Sequence, residues 1–145
     1  MITAPFTDAP VTMDTIVQGF DKSVQWVEAS ADNLPPKAIN WLTACLRFPY
    51  WIEAGYMDGS SSDLAMDSEA EPVFEPTRIA EQLAAILDEE RIGTLPMPDG
   101  RWMAVLSTDK RSTSAYGATR AEAALRAFVL KYLGRQVRVP QAWAD

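Results

Sequence analysis

Cys45, the carboxylates Glu81, Asp88, Glu89 and Glu90, and the cations Arg120, Arg126, Lys131, Arg135 and Arg138 are the residues with which this chain could do chemistry. A cysteine nucleophile needs exposure and a lowered pKa. Cys45 instead stands at helical spacing from Trp41, Leu42 and Leu46, which predicts an inert thiol in the core. Paired carboxylates can serve as acid and base in glycoside hydrolysis. Asp88, Glu89 and Glu90 are adjacent, and nothing in the sequence gathers them with Glu81 around a cleft, so they read as a solvated helix end. The 145 residues include no histidine, which removes the usual general base, the commonest metal ligand and every triad built on imidazole. With one cysteine besides, a zinc site would need carboxylates almost alone. The seven glycines are scattered and form no phosphate-binding loop. The expectation is a protein that is not an enzyme and holds neither cofactor nor metal.

Binding is the remaining class, and charge suggests two surfaces for it. Residues 53–90 carry eleven acids against Arg78 alone, whereas residues 91–145 carry four acids and nine bases. The acidic block is interleaved with aromatics. Asp58, Asp63, Asp67, Glu69, Glu71 and Glu75, with Trp51 and Tyr56, form one candidate partner-binding set, since aromatic anchors beside charge are what protein interfaces favour. Tyr50 and Phe74 flank it. Carboxylates so placed could imitate nucleic acid in a groove of a host protein, or they could merely keep the chain in solution. The second candidate surface is basic: Arg120 and Lys131 lie three helical turns apart on one side, Arg126 points elsewhere and can pair with Glu122, and Arg135 and Arg138 follow. A net charge of −7 argues against direct nucleic-acid binding, which draws its affinity from neutralised phosphates.

The elements that position these residues follow from periodicity and punctuation. Residues 1–10, with two prolines, read as an extended tail. Met13, Ile16, Val17, Phe20, Val24 and Val27 recur at helical spacing behind the capping residue Thr12. After Pro35-Pro36, the stripe Ala38, Trp41, Leu42, Cys45 and Leu46 predicts a second helix ending near Arg47. Residues 58–72 are small, polar and acidic, and read as a flexible loop. Pro76 and Thr77 open a third helix with Ile79, Leu83, Ile86 and Leu87 on one face, and the acids at its end oppose the helix dipole. Pro98-Asp99-Gly100 is a turn between two strands, 92–97 and 101–107, with Trp102, Ala104 and Leu106 on one side. Asp109 to Gly117 reads as a polar loop. Thr119 and Glu122 make a capping box for a last helix that stops at Gly134, and Val137 and Val139 mark a short strand closed by Pro140.

Several of these segments, in this order, resemble the NinX-like proteins of tailed phages and prophages. Leu34 to Ala44 is similar to that family's "L-x-G-A-x-L-D-W-A-V-A" helix. Phe74-Glu75-Pro76-Thr77 and Ile86 to Ile92 resemble its aromatic-x-Pro-Ser/Thr segment and "I-I-E-R-E-x-I" stretch, and Trp102-Met103-Ala104 its "W-x-A" strand. Gly117 to Gly134 matches "G-x-T-P-L-x-A-A-M-R-x-F-V-x-x-x-L-G". The resemblance covers roughly residues 34–140. This chain has 30 extra N-terminal residues, carries Arg78-Ile79-Ala80 in place of Asp-Trp-Ala, and has helix-forming residues in place of a Trp-Gly-Gly-like turn. The family has no established activity, so the resemblance implies a phage context and no chemistry.

The expected architecture is a single α+β domain of three to four helices on a small antiparallel hairpin or sheet. No apolar run approaches the roughly 20 residues that span a bilayer, the start has no signal-peptide pattern, and one cysteine forms no disulfide framework. The expected setting is the cytoplasm of a bacterial host, away from membranes. The expected role is that of an accessory protein binding a host protein or protein–nucleic-acid complex, inhibiting a defence or nucleic-acid-processing complex through its acidic surface. A small-ligand or nucleotide binder using the basic C-terminal helix is the alternative, and a minor enzyme comes third.

Overall fold

The computed structural model describes residues 11–20, 22, 24–47, 74–107 and 111–144. The expected tail 1–10, the loop 58–72 and most of the acidic block therefore lie outside the described residues. Along the described chain run α1 (Met13–Gln18), β1 (Trp26–Ser30), a 3-10 turn (Ala31–Asn33), α2 (Pro36–Arg47) and α3 (Ala80–Glu90). Then come β2 (Gly93–Pro96), β3 (Trp102–Ser107), β4 (Ser112–Gly117), α4 (Arg120–Leu133), β5 (Gln136–Pro140) and a second 3-10 turn (Gln141–Trp143). The class is α+β, with two antiparallel sheets: a β1–β5 ribbon and a β2–β3–β4 sheet. No helix among the described residues is long and apolar enough to cross a membrane.

At the centre lies α2. The sequence predicts one apolar stripe on it, but every residue from Ala38 to Leu46 is buried, Ile39, Asn40, Thr43 and Ala44 included. A helix enclosed on all sides belongs to the middle of a core. Trp41 packs with Phe20 and Trp26, ring centroids 5.4–5.8 Å apart, within the range of favourable aromatic pairs. Asn40 has a polar duty: its Nδ2 donates to Thr77 Oγ1 (2.8 Å) and its Oδ1 accepts from Thr77 N–H (3.1 Å). The indole N–H of Trp41 and the hydroxyl of Thr43 find no partner among the described residues.

Cys45 shares this core, fully buried, and burial raises its thiol well above the usual value. Native-state labelling by a thiol reagent is therefore expected to be slow at neutral pH and to accelerate when denaturant unfolds the chain. Rapid labelling of the folded protein would contradict this placement.

The last helix, α4, forms where the sequence predicts it. Thr119 Oγ1 accepts from Glu122 N–H at 3.1 Å, and Gly134, with φ +83°, lets its N–H reach Leu130 O. The box is closed through the hydroxyl, which donates to Glu122 Oε2 at 3.0 Å. One side of α4 covers the three-stranded sheet and another meets α2, so Ala121, Ala123, Ala124, Leu125, Ala127, Phe128 and Val129 are all buried. The hairpin β2–β3 is as expected: Gly100, at φ +89°, ends the Pro98-Asp99 turn, and Met97 N–H donates to Arg101 O at 2.7 Å. Ala104 and Leu106 face α4, paired with Ala115 and Thr113 of β4.

Three segments depart from the periodic reading. The first helix ends at Gln18, and Trp26–Ser30, including Val27, is a strand. Val24 and Val27 matched a helical spacing by coincidence, and the pairing of Val27 with Val139 and of Ala29 with Val137 of β5 decides the outcome. The third helix starts at Ala80, not at Pro76. Thr77 is held by Asn40 instead of capping a helix, and Gln82 Oε1 accepts Glu75 N–H at 2.7 Å. Residues 112–117, read as loop, form β4.

Candidate functional site

Of the acidic partner-binding set, only Glu75 is among the described residues; Trp51, Tyr56, Asp58, Asp63, Asp67, Glu69 and Glu71 lie outside them. Glu75 is engaged locally, its carboxylate accepting from Arg78 Nε at 3.0 Å. Phe74, one of the flanking aromatics, is in the core.

Two of the three acids at the end of α3, Glu89 and Glu90, have structural partners. Glu89 pairs with Arg47 at the end of α2, and the guanidinium holds its carboxyl below the usual range. Glu90 Oε1 accepts from Tyr132 Oη at 2.6 Å and from Lys131 Nζ at 3.4 Å. Glu89 and Glu90, which oppose the α3 dipole, thus tie α3 to α2 and α4. Burial, then the bond to Glu90, raises the Tyr132 phenol. Burial works against the Lys131 charge, but Tyr132 and Glu90 outweigh it and raise that ammonium too. Both groups move away from neutrality, the wrong direction for proton transfer near pH 7.

The five basic candidates do not form one surface. Arg120 Nε donates to Thr94 Oγ1 at 2.9 Å, pinning the start of α4 to β2. Lys131 belongs to the Glu90–Tyr132 cluster. Arg126 is largely buried and donates to two backbone carbonyls, Leu34 O (3.1 and 2.7 Å) and Tyr116 O (2.8 Å), with Glu122 at 3.6 Å on its own helix. The Glu122 pairing is the one its spacing predicts; the two carbonyls are not readable from sequence. These three cations brace the fold.

Arg135 and Arg138 are different. Together with Met13 of α1, Glu28 to Ser30 of β1, and Gln136 and Val137 of β5, they line an open concavity of about 660 Å³ over the ribbon. Arg138 Nη2 donates to Asp14 at 2.9 Å, and Arg135 Nε lies 3.6 Å from Asp32. Glu28 is the register partner of Arg138 but makes no ion pair with it.

The second exposed feature is the outer face of the three-stranded sheet, opposite α4. Leu95, Met103 and Tyr116 are register partners and form one row across it, with Val105 behind. Leu95 is 52% and Tyr116 40% exposed, the large apolar or aromatic side chains most open to solvent among the described residues. The Arg101 guanidinium sits over the Tyr116 ring, 4.9 Å from its centroid, and is also held by Asp99 at 2.8 Å. Sequence reasoning missed this row because Tyr116 lies in the segment read as loop. Among the described residues, no three His, Cys, Asp or Glu side chains gather as metal ligands would. The chain matches no known family model and no curated protein sequence.

Proposed function

We propose that the protein is a non-catalytic accessory protein of phage or prophage context that binds a host protein, with the outer face of the three-stranded sheet as its anchoring surface. The row Leu95–Met103–Tyr116, with Arg101 stacked on the tyrosine, carries this reading. Tyr, Met and Arg are the types enriched in interfaces, and Tyr and Arg dominate their hot spots. The row also lies on the face that α4 does not cover, so nothing among the described residues requires it to be apolar. The acidic block of residues 53–90 fits the same role as a steering element, since dense charge raises association rates and makes them salt-dependent. The phage context rests on the NinX-like resemblance, and inhibition of a defence or nucleic-acid-processing complex is the role consistent with both.

The test is affinity capture from a bacterial host lysate with the native protein and two variants, followed by binding kinetics on whatever is captured. Leu95→Ser/Tyr116→Ala is expected to keep its fold, because exposed substitutions shift stability by about 0.5 kcal/mol or less, and to lose the partner through faster dissociation. Lysine at Asp63, Asp67, Glu69 and Glu71 is expected to slow association at low salt. A partner retained equally by both variants would overturn the proposal.

A further inference from the structure

We propose that the concavity over the β1–β5 ribbon is a binding site for a small organic anion, bearing a phosphate or carboxylate together with a hydrogen-bond donor. This does not depend on the sheet face, which belongs to the other sheet. Three donors border the concavity. Arg138 uses Nη2 on Asp14, and its guanidinium makes no other bond among the described residues. Among the described residues, Arg135 has only the long contact to Asp32. A guanidinium carries five N–H groups in a planar fork suited to carboxylate and phosphate oxygens, so most of this capacity is unfilled. The third donor is the backbone N–H of Arg138, whose acceptor is the Met13 sulfur at 3.5 Å. A thioether is a weak acceptor on a flexible side chain, and it can yield that N–H to a ligand oxygen.

The aspartates do not fill the site. Neither Asp14 nor Asp32 lines the concavity, and their side chains are 81% and 40% exposed. Exposed pairs of this kind hold weakly against solvent, so the two carboxylates orient the guanidinium groups from outside and leave their remaining N–H groups to a ligand. Glu28 is the single lining acid among the described residues. It repels a bare anion and accepts from a hydroxyl or amino group, which favours ligands combining both functions. Val137, Ala29 and the Met13 side chain supply apolar contact for a carbon skeleton. The volume of about 660 Å³ lies within the ~300–1,000 Å³ of small-molecule sites.

The experiment is a titration of the full chain followed by amide NMR shifts, with adenosine monophosphate, citrate and uncharged adenosine as probes. Saturable shifts confined to residues of α1, β1 and β5 are expected with one or both anions, and none with adenosine. Response to adenosine monophosphate alone selects phosphate, and response to citrate alone selects carboxylate. Arg135→Gln and Arg138→Gln are each expected to weaken binding about tenfold, the loss of one charge-assisted hydrogen bond. Arg101→Gln, on the other sheet, is expected to change nothing. The spectrum of each variant reports its fold directly. No saturable shift with either anion, equal response to adenosine, or affinity unchanged in both ribbon variants overturns the site.

Discussion

Arg126→Met is expected to lower the free energy of unfolding by about 3 kcal/mol, read from the midpoint of a urea denaturation curve. The methylene stem is kept, so the loss is polar. Nε and Nη2 donate to Leu34 O, at the entry to α2, and Nη1 to Tyr116 O, at the end of β4. Hydrogen bonds from a charged group contribute about 1.5–3 kcal/mol, and the Leu34 carbonyl belongs to a fully buried residue. Removing the guanidinium leaves both carbonyls without that donor and severs a link between residues 92 positions apart. Arg126→Lys should recover less than half, because one ammonium cannot span both acceptors in the geometry of the planar fork. A loss below about 1 kcal/mol would mean that water replaces the guanidinium at no cost and that the strut is dispensable.

Gly117→Ala is expected to be about as damaging, and for a steric reason. A Cβ at Gly117 would lie 2.6 Å from Ala123 N and 2.8 Å from Glu122 Cβ. These atoms belong to the first turn of α4, and backbone there cannot swing aside as a long side chain would. Either α4 lifts from β4 or the strand bends, and overpacking of that kind costs about 1–3 kcal/mol, sometimes more. The gain from a stiffer unfolded chain, about 0.4–1 kcal/mol, does not offset it. In thermal denaturation the expected result is a fall in Tm of several degrees, since 1 kcal/mol corresponds to roughly 2–8 °C for domains near this size. An unchanged Tm would show that α4 has slack at its start.

Gly117 also explains why β4 escaped the sequence reading. Strands are recognised by β-branched and aromatic residues alternating with polar ones. Here α4 lies so close that the inward positions are Thr113, Ala115 and Gly117, and small inward residues make the segment look like a loop. The elements that were legible carry their own signals: Pro98-Asp99-Gly100 for the hairpin, Thr119 and Gly134 for the two ends of α4. β1 was not legible because its identity comes from β5, more than 100 residues away.

The candidate sites were legible only in part. Composition put most of the cations from residue 91 onward, but it could not tell the braces from the groups lining the concavity, since the spacing of Arg126 showed its Glu122 partner and not its two carbonyls. Only contact with Leu34 O and Tyr116 O, or with the ribbon concavity, separates them. The acids at the end of α3 show the same limit. Their conflict with the helix dipole was visible, and the tertiary partners that resolve it, Arg47, Lys131 and Tyr132, were not.

The pairing of β1 with β5 also bears on how the protein emerges from the ribosome. Trp26–Ser30 leaves the ribosome more than 100 residues ahead of its partner Gln136–Pro140. Domains generally fold as units as the chain is made, and contacts this distant in sequence are slow to form because the loop between them must first close. The stretch from α3 to α4 can assemble from near neighbours while synthesis continues. The early part of the chain cannot, and α2, with its dense apolar surface, waits beside it until β5 is free of the exit tunnel. The nascent protein therefore passes through a stage in which the most buried of its described helices lacks part of its cover, the stage at which a chaperone has most to bind.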